Sequence, residues 1–310
     1  MNRKILITEF MDEAAVGWLR ARFSVDYDPT LADDRPRLLG MLAALNALIV
    51  RNRTQVNAEL LARAPQLCAV GRLGVGLDNI DVVACSARGV AVLPATGANA
   101  LTVAEYVVCT VMMLLRGAFL ASAAVATGKW PRRQLGEGHE TAGKALIVGF
   151  GHTGRCAARL AQALGLRVLA TDPLLAADSP VWRESGVARR TLDELLAEAD
   201  AVTLHVPLTD ETRHLIGAER IARMKQGAVL VNAARGGVVD ESALVAALKS
   251  AHLAGAALDV FESEPLRAGS PLADAPNPLL TPHVAGITRE SNVRVSTMIA
   301  EQAAAALARV

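Results

Sequence analysis

Short runs of β-branched residues alternate with amphipathic stretches from one end of the chain to the other, which is how a parallel sheet with crossover helices reads. The pattern runs twice. In the first pass residues 5–8, 25–27, 47–50, 68–71 and 90–92 read as strands with helices between them, the first helix capped by Asp12. Residues 103–126 then form one long apolar stretch, approaching the length of a membrane span. Glu105 and Arg116 interrupt it, and a charge near the bilayer centre costs roughly 2.5 to 3.5 kcal/mol, so a long buried helix is expected instead.

Residues 128–131 and the polar segment 132–144 read as a linker, after which the pattern restarts with strands at 145–149, 167–171, 201–206, 228–232, 254–260 and 279–281. Thr191 and Glu194 make a capping box, and Gly165 marks a helix end. Six strands with intervening helices fit a Rossmann sheet. Residues 265–282 hold five of the 13 prolines and read as an extended loop, and a final helix is expected over 290–309. No short-period repeat is visible, so solenoids are set aside. The fold class is α/β, with two doubly wound parallel-sheet domains.

Composition sharpens this picture. A chain of 310 residues exceeds the size at which one core usually stops growing, which agrees with two domains. The net charge of +1 supplies no broad basic face for nucleic acid or an anionic membrane, so a small-molecule partner is expected. Cys68, Cys85, Cys109 and Cys156 are far apart, lack a C-x-x-C pair and have no histidine at metal-ligand spacing. They read as reduced, buried thiols, with no metal site. The apolar run at 5–8 is too short for a signal peptide, so a cytoplasmic location is expected.

A G-x-G-x-x-G at Gly149, Gly151 and Gly154 lies between a strand and an amphipathic stretch that begins with His152 and Thr153. The first glycine permits a tight turn, the second lets backbone approach a pyrophosphate at the helix amino terminus, and the third allows close helix packing. Asp172, 18 residues past Gly154, ends the next strand. A carboxylate there accepts from ribose hydroxyls and repels a 2′-phosphate, which selects NAD over NADP.

Three more motifs fall at expected strand carboxyl ends, where open α/β sheets bind ligands: N-x-x-R-G-G from Asn232, L-D-V-F-E-x-E-P from Leu258, and T-P-H from Thr281. With Gly71 to Asn79 and the Thr102 to Glu105 helix opening, they cover essentially the whole chain. The sequence resembles the D-isomer-specific 2-hydroxyacid dehydrogenases.

That resemblance implies an NAD-binding Rossmann domain over 100–284 and a flavodoxin-like substrate domain over 1–99 plus 285–310, hinged near 97–101 and 284–287. It implies hydride transfer between NAD and a 2-hydroxy/2-keto acid, with His283 as general acid/base, Glu264 orienting the ring and favouring its protonated form, and Arg235 gripping the substrate carboxylate or carbonyl. Asp259 would hold the nicotinamide carboxamide. Val206, Ala233, Ala234 and Gly286 complete the implied cofactor site. Formate dehydrogenases of the superfamily carry Gln where this chain has Glu264, which argues against formate. The family also includes corepressors that use NADH binding to control assembly, so a corepressor-like binding protein is the non-enzymatic alternative. A homodimer is implied.

In the family the loop that here comprises Leu73, Gly74, Val75 and Gly76 presents backbone N–H groups to the substrate carboxylate. Arg51 and Arg72 stand where phosphoglycerate dehydrogenases face a phosphate, which implies a second anionic group, and Arg53 joins them or faces solvent. Residues 7–13, 50–55 and 93–97 are most similar to the sulfolactate-oxidising members. Sulfolactate/sulfopyruvate therefore ranks first, 3-phosphoglycerate second and glyoxylate or hydroxypyruvate third. The chain ends at Val310, without the regulatory domain of long phosphoglycerate dehydrogenases, so serine feedback is not expected.

Overall fold

The structure, a computed structural model, describes residues 3–136, 138–140 and 143–309. It divides into two compact units, Met1–Asn99 with Ile287–Val310, and Ala100–Gly286.

In the first unit, β1 (Lys4–Ile7), β2 (Ser24–Tyr27), β3 (Ala47–Val50), β4 (Ala69–Arg72) and β5 (Ala91–Pro94) form an all-parallel sheet in the order β2-β1-β3-β4-β5. This is the flavodoxin-like doubly wound order. Every residue of β3 is buried, as expected for a central strand covered on both faces. Asp12 caps the first helix by accepting from the N–H groups of Ala14 and Ala15. The final helix, Arg289–Ala308, buries Val295, Ile299, Ala303 and Leu307 in one cluster with Ile5, Ile7 and Ile49. Gly71 permits that close seat on the sheet, since a Cβ there would lie 2.6 Å from Ile299 Cγ2.

In the second unit, β6 (Lys144–Val148), β7 (Arg167–Thr171), β8 (Ala188–Arg189), β9 (Ala201–Leu204), β10 (Ala228–Asn232), β11 (Leu253–Leu258) and β12 (Pro278–Leu280) run parallel in the order β12-β11-β10-β9-β6-β7-β8. Read outward from β6, this is the Rossmann order with one added strand. The strand order reverses between β6 and β9, the crevice where such sheets hold ligands. The six expected strands are all present. The seventh, β8, has only two residues and sits at an edge, too short to leave a periodic signal.

Several sequence expectations need correction. The long helix is Ala100–Arg116, and it stops because Gly117 takes a left-handed conformation at φ 66°. The chain turns by 68° there before the short helix Ser122–Ala126, so 103–126 is a broken element. No single described helix is long and apolar enough to cross a membrane. Val107, Val111, Leu114 and Leu115 instead pack on Ala201, Val229, Val231 and Ala257 of the sheet. Within the expected linker, Arg132–Leu135 forms one helical turn, while Glu137, Thr141 and Ala142 lie outside the described residues. Of the four thiols only Cys85 is fully buried, and Cys109 is exposed on the outer face of the Ala100–Arg116 helix. All four cysteines are free.

Candidate active site

The glycine loop after β6 lies at the switch point. Gly149 takes φ +88°, and a Cβ on it would stand 2.5 Å from the His205 carbonyl and 2.9 Å from Val206 Cγ1, so the loops after β6 and β9 touch through this residue. A Cβ on Gly154 would stand 2.1 Å from the Gly149 carbonyl, which sets how closely the following helix approaches. Gly151 differs. A Cβ there would meet nothing within 4 Å, so its lack of a side chain leaves open space rather than relieving a clash. Gly151 is also the N-cap of the helix His152–Ala163 and supplies no side-chain acceptor. The first-turn N–H groups, on exposed His152, half-buried Thr153 and buried Gly154, thus point their partial positive charge at that space. This is the cradle a dinucleotide pyrophosphate requires.

Asp172, at the end of β7, accepts from the Phe150 N–H at 2.7 Å and the Leu174 N–H at 2.9 Å. Its carboxylate therefore ties the glycine loop to the neighbouring strand end, and each oxygen keeps a lone pair for a ribose hydroxyl. Behind the cradle, burial pushes the His205 imidazole down to about 4, so the ring is neutral near neutral pH. The ring contacts the Thr203 hydroxyl through Nε2 at 3.3 Å.

The loop after β10 carries Arg235. Buried Asn232 shapes it from within, its Nδ2 donating to the Arg235 carbonyl at 2.9 Å and its Oδ1 accepting from the Ala234 N–H at 3.1 Å. Half-buried Ala233 and buried Ala234 form the wall of this turn, and Arg235 Nη1 donates to the Ala234 carbonyl. Gly236 lets the turn press on the loop after β11: a Cβ on it would overlap the Phe261 carbonyl at 1.7 Å. This explains why glycine follows the arginine in the motif.

Asp259, at the end of β11, is 1% exposed and grips the loop after β12. Its Oδ1 accepts from the Thr281 hydroxyl at 2.6 Å and the Val284 N–H at 2.8 Å, and its Oδ2 from the Ala285 N–H at 2.7 Å. Tyr106 joins through a 2.6 Å contact with the Thr281 hydroxyl, and burial pushes its phenol up. Asp259 therefore acts first on residues 281–285, where the resemblance gave it the nicotinamide carboxamide. A lone pair of Oδ2 remains for that second role.

The gripped loop presents His283. Its Nδ1 lies 2.8 Å from Glu264 Oε2, while Glu264 Oε1 accepts from the Phe261 N–H at 3.1 Å. With the carboxylate accepting from Nδ1, the tautomer is set and Nε2 is left for a substrate. His283 has φ 55°, a strained conformation for a residue with a side chain. The bonds from Asp259 on both flanks hold it there. Half-buried Gly286 closes the loop.

In the first unit the expected substrate residues fall into two loops. After β4, the Leu73 N–H donates to the Val50 carbonyl and the Gly74 N–H to the Arg72 carbonyl. Leu73 is also buried. The expectation of four backbone donors therefore shrinks to the N–H groups of exposed Val75 and half-buried Gly76. The Arg72 side chain folds over Gly74, which has φ +149°, and its Nη1 donates to the Leu73 carbonyl at 3.1 Å.

After β3, Arg51 is half-buried and its Nη2 donates to Asn292 Oδ1 on the final helix at 2.9 Å. Arg53 is exposed and pairs with Asp33 at 2.7 Å, so of its two open alternatives the solvent-facing one holds. Glu9, whose role the sequence left undefined, accepts from the backbone N–H groups of this loop and is 3% exposed. An acid at the end of a buried strand was the signal that could have singled it out. Tyr106 carried no such signal, because its partner Thr281 is distant in sequence.

Comparison with known proteins agrees with this geometry. The model of the D-isomer specific 2-hydroxyacid dehydrogenase NAD binding domain matches residues 108–285. The chain is 56% identical over 304 residues to an (S)-sulfolactate dehydrogenase of Chromohalobacter salexigens, covering 98% of each chain. It is 38% identical over 299 residues to a D-3-phosphoglycerate dehydrogenase of Archaeoglobus fulgidus, spanning 96% of this chain but only 56% of that protein. Among solved structures, a D-lactate dehydrogenase from Aquifex aeolicus complexed with NAD and lactic acid superposes with a TM-score of 0.84 at 26% identity, covering 99% of this chain and 96% of that one. The chain belongs to the D-isomer specific 2-hydroxyacid dehydrogenase family and is an NAD-dependent oxidoreductase acting on the CH–OH group of its donor.

Proposed function

We propose that the chain interconverts sulfolactate and sulfopyruvate, with His283 as the acid/base. The observation that carries the chemistry is the 2.8 Å contact between His283 Nδ1 and Glu264 Oε2, presented at the carboxyl edge of the same parallel sheet whose glycine loop forms the open cradle. The first-turn N–H groups of the glycine cradle and Asp172 would hold NAD, which would supply the hydride acceptor for C2 in oxidation and, as NADH, the donor in reduction. His283 Nε2 takes the C2 hydroxyl proton in the oxidative direction and returns it to the carbonyl oxygen in the reductive one. Glu264 holds the ring in the required tautomer through its contact with Nδ1. Arg235 grips the C1 carboxylate or the C2 oxygen with its fork of donors, and Val75 and Gly76 offer backbone N–H groups suited to an anionic substrate. Asp172 accepts from the adenosine ribose, which favours NAD over NADP.

Arg51 and Arg72 supply the charge for a second anionic end. This reading, together with the 56% identity to an (S)-sulfolactate dehydrogenase, supports a sulfonate. A cytoplasmic homodimer belongs to the same proposal. Exposed Phe119 and Trp130, in the segment after Gly117, support a subunit contact.

The test follows NADH absorbance with sulfopyruvate, 3-phosphohydroxypyruvate, hydroxypyruvate and glyoxylate. The highest kcat/KM is expected for sulfopyruvate. A higher value for 3-phosphohydroxypyruvate would move the assignment to 3-phosphoglycerate, and a higher value for glyoxylate would remove the second anion from the account.

A further inference from the structure

The loop after β3 is built around a buried charge. Glu9 Oε1 accepts from the N–H groups of Arg51 at 2.9 Å and Thr54 at 3.0 Å, and Oε2 from those of Asn52 at 3.2 Å and Arg53 at 3.1 Å. Four consecutive backbone N–H groups thus converge on one carboxylate. Such a concavity is an anion-binding nest, and here the chain fills it with its own side chain. The substrate's anion has no access to those donors, and recognition passes to the Arg51 guanidinium.

The surrounding contacts define how that guanidinium is presented. Thr54 is pinned by a 2.8 Å contact between its hydroxyl and that of Thr8, and by Asn79 Nδ2 donating to its carbonyl at 2.7 Å. Arg53 turns outward to Asp33. Arg51 stays half-buried with Asn292 on one side. The carboxylate at the centre fixes the turn that sends these two arginines in different directions. Burial pushes the Glu9 carboxyl up, but the four N–H bonds outweigh it and hold it below the usual carboxylate range, so the group is ionised at working pH.

We infer that Glu9 is a positioning residue for substrate selection: its carboxylate shapes the 51–54 loop so that Arg51 meets a second anionic group. The inference rests on the reading of Arg51 given above. It differs from a merely structural role in what it changes, since a general loss of order lowers activity toward all 2-keto acids alike. Glu9 acts on the far end of the substrate, so its loss falls on substrates that possess that end.

The experiment compares kcat/KM for sulfopyruvate and glyoxylate, with saturating NADH, in wild type, Glu9→Gln, Glu9→Asp and Arg51→Ala. Glutamine keeps the length but sets an NH₂ against two of the N–H donors, whereas aspartate keeps the charge but withdraws it. The sulfopyruvate-to-glyoxylate ratio is expected to fall by about tenfold or more in Glu9→Gln, mainly through KM for sulfopyruvate. Glu9→Asp should lower it less, and it carries the test if the glutamine variant does not fold. A ratio that stays within about twofold of wild type in the folded Glu9 variants, while Arg51→Ala lowers it, overturns the role of Glu9 alone. If Arg51→Ala also leaves the ratio intact, the reading of Arg51 fails and the inference falls with it.

Discussion

At the scale of single residues, the cost of building this site shows in its titration behaviour. His205 backs the glycine cradle with an imidazole that burial pushes down to about 4, against an ordinary 6.5. The unfolded chain therefore binds a proton between those values that the folded chain refuses. Stability is complete above pH 6.5 and is lost as pH falls toward 4, by up to about 3 kcal/mol for a shift of this size. Glu9 adds to the loss at lower pH. Its folded value lies below the ordinary carboxylate range, so its contribution is present above that range and disappears as pH falls through the folded value. Arg53 Nε stands 3.9 Å from the Glu9 carboxylate, and its Nη1 pairs with Asp33. We expect Tm to fall between pH 6.5 and 4 and His205→Gln to flatten that slope. An unchanged slope in the variant would assign the acid lability to other groups.

At the scale of elements, the proposed catalytic pair, His283 and Glu264, is held by a staple rather than by its own contacts alone. The strand end at Asp259 and the loop 281–285 are joined by three hydrogen bonds, and these keep His283 in its left-handed conformation. Asp259→Asn replaces one acceptor oxygen with an NH₂ that cannot accept from Val284 or Ala285. We expect kcat to drop by about tenfold to a hundredfold, with the protein still folded by circular dichroism. Retained kcat would show that the loop holds its shape without the carboxylate.

Much of this was legible in the sequence. The glycine spacing after an apolar run, Asp172 at the next strand end, and the R-G-G, E-P and P-H motifs each declare a local requirement of turn, charge or close approach. What escaped depended on distance along the chain. Asp259 meets Val284 and Ala285 only because β11 and β12 are neighbours, and Glu9 meets 51–54 only because β1 and β3 are. The break at Gly117 escaped because apolar residues continue beyond it, and composition hides a change of axis. The two backbone donors lost from the loop after β4 are bonded to Val50 and Arg72, contacts that no motif encodes.

At the scale of the molecule, two doubly wound sheets divide the labour. The unit Ala100–Gly286 holds the cradle, Arg235, Glu264 and His283, while the unit formed by both chain ends holds the arginines proposed to read the far end of the substrate. This division predicts that reaction chemistry and substrate choice are separable by mutation. The role of His283 is decided by kcat for NADH-dependent reduction of sulfopyruvate by wild type and His283→Ala, with NADH affinity measured in parallel. In His283→Ala, kcat is expected to fall by at least about a hundredfold with NADH affinity changed far less. A His283→Ala enzyme that turns over at the wild-type rate would contradict that role.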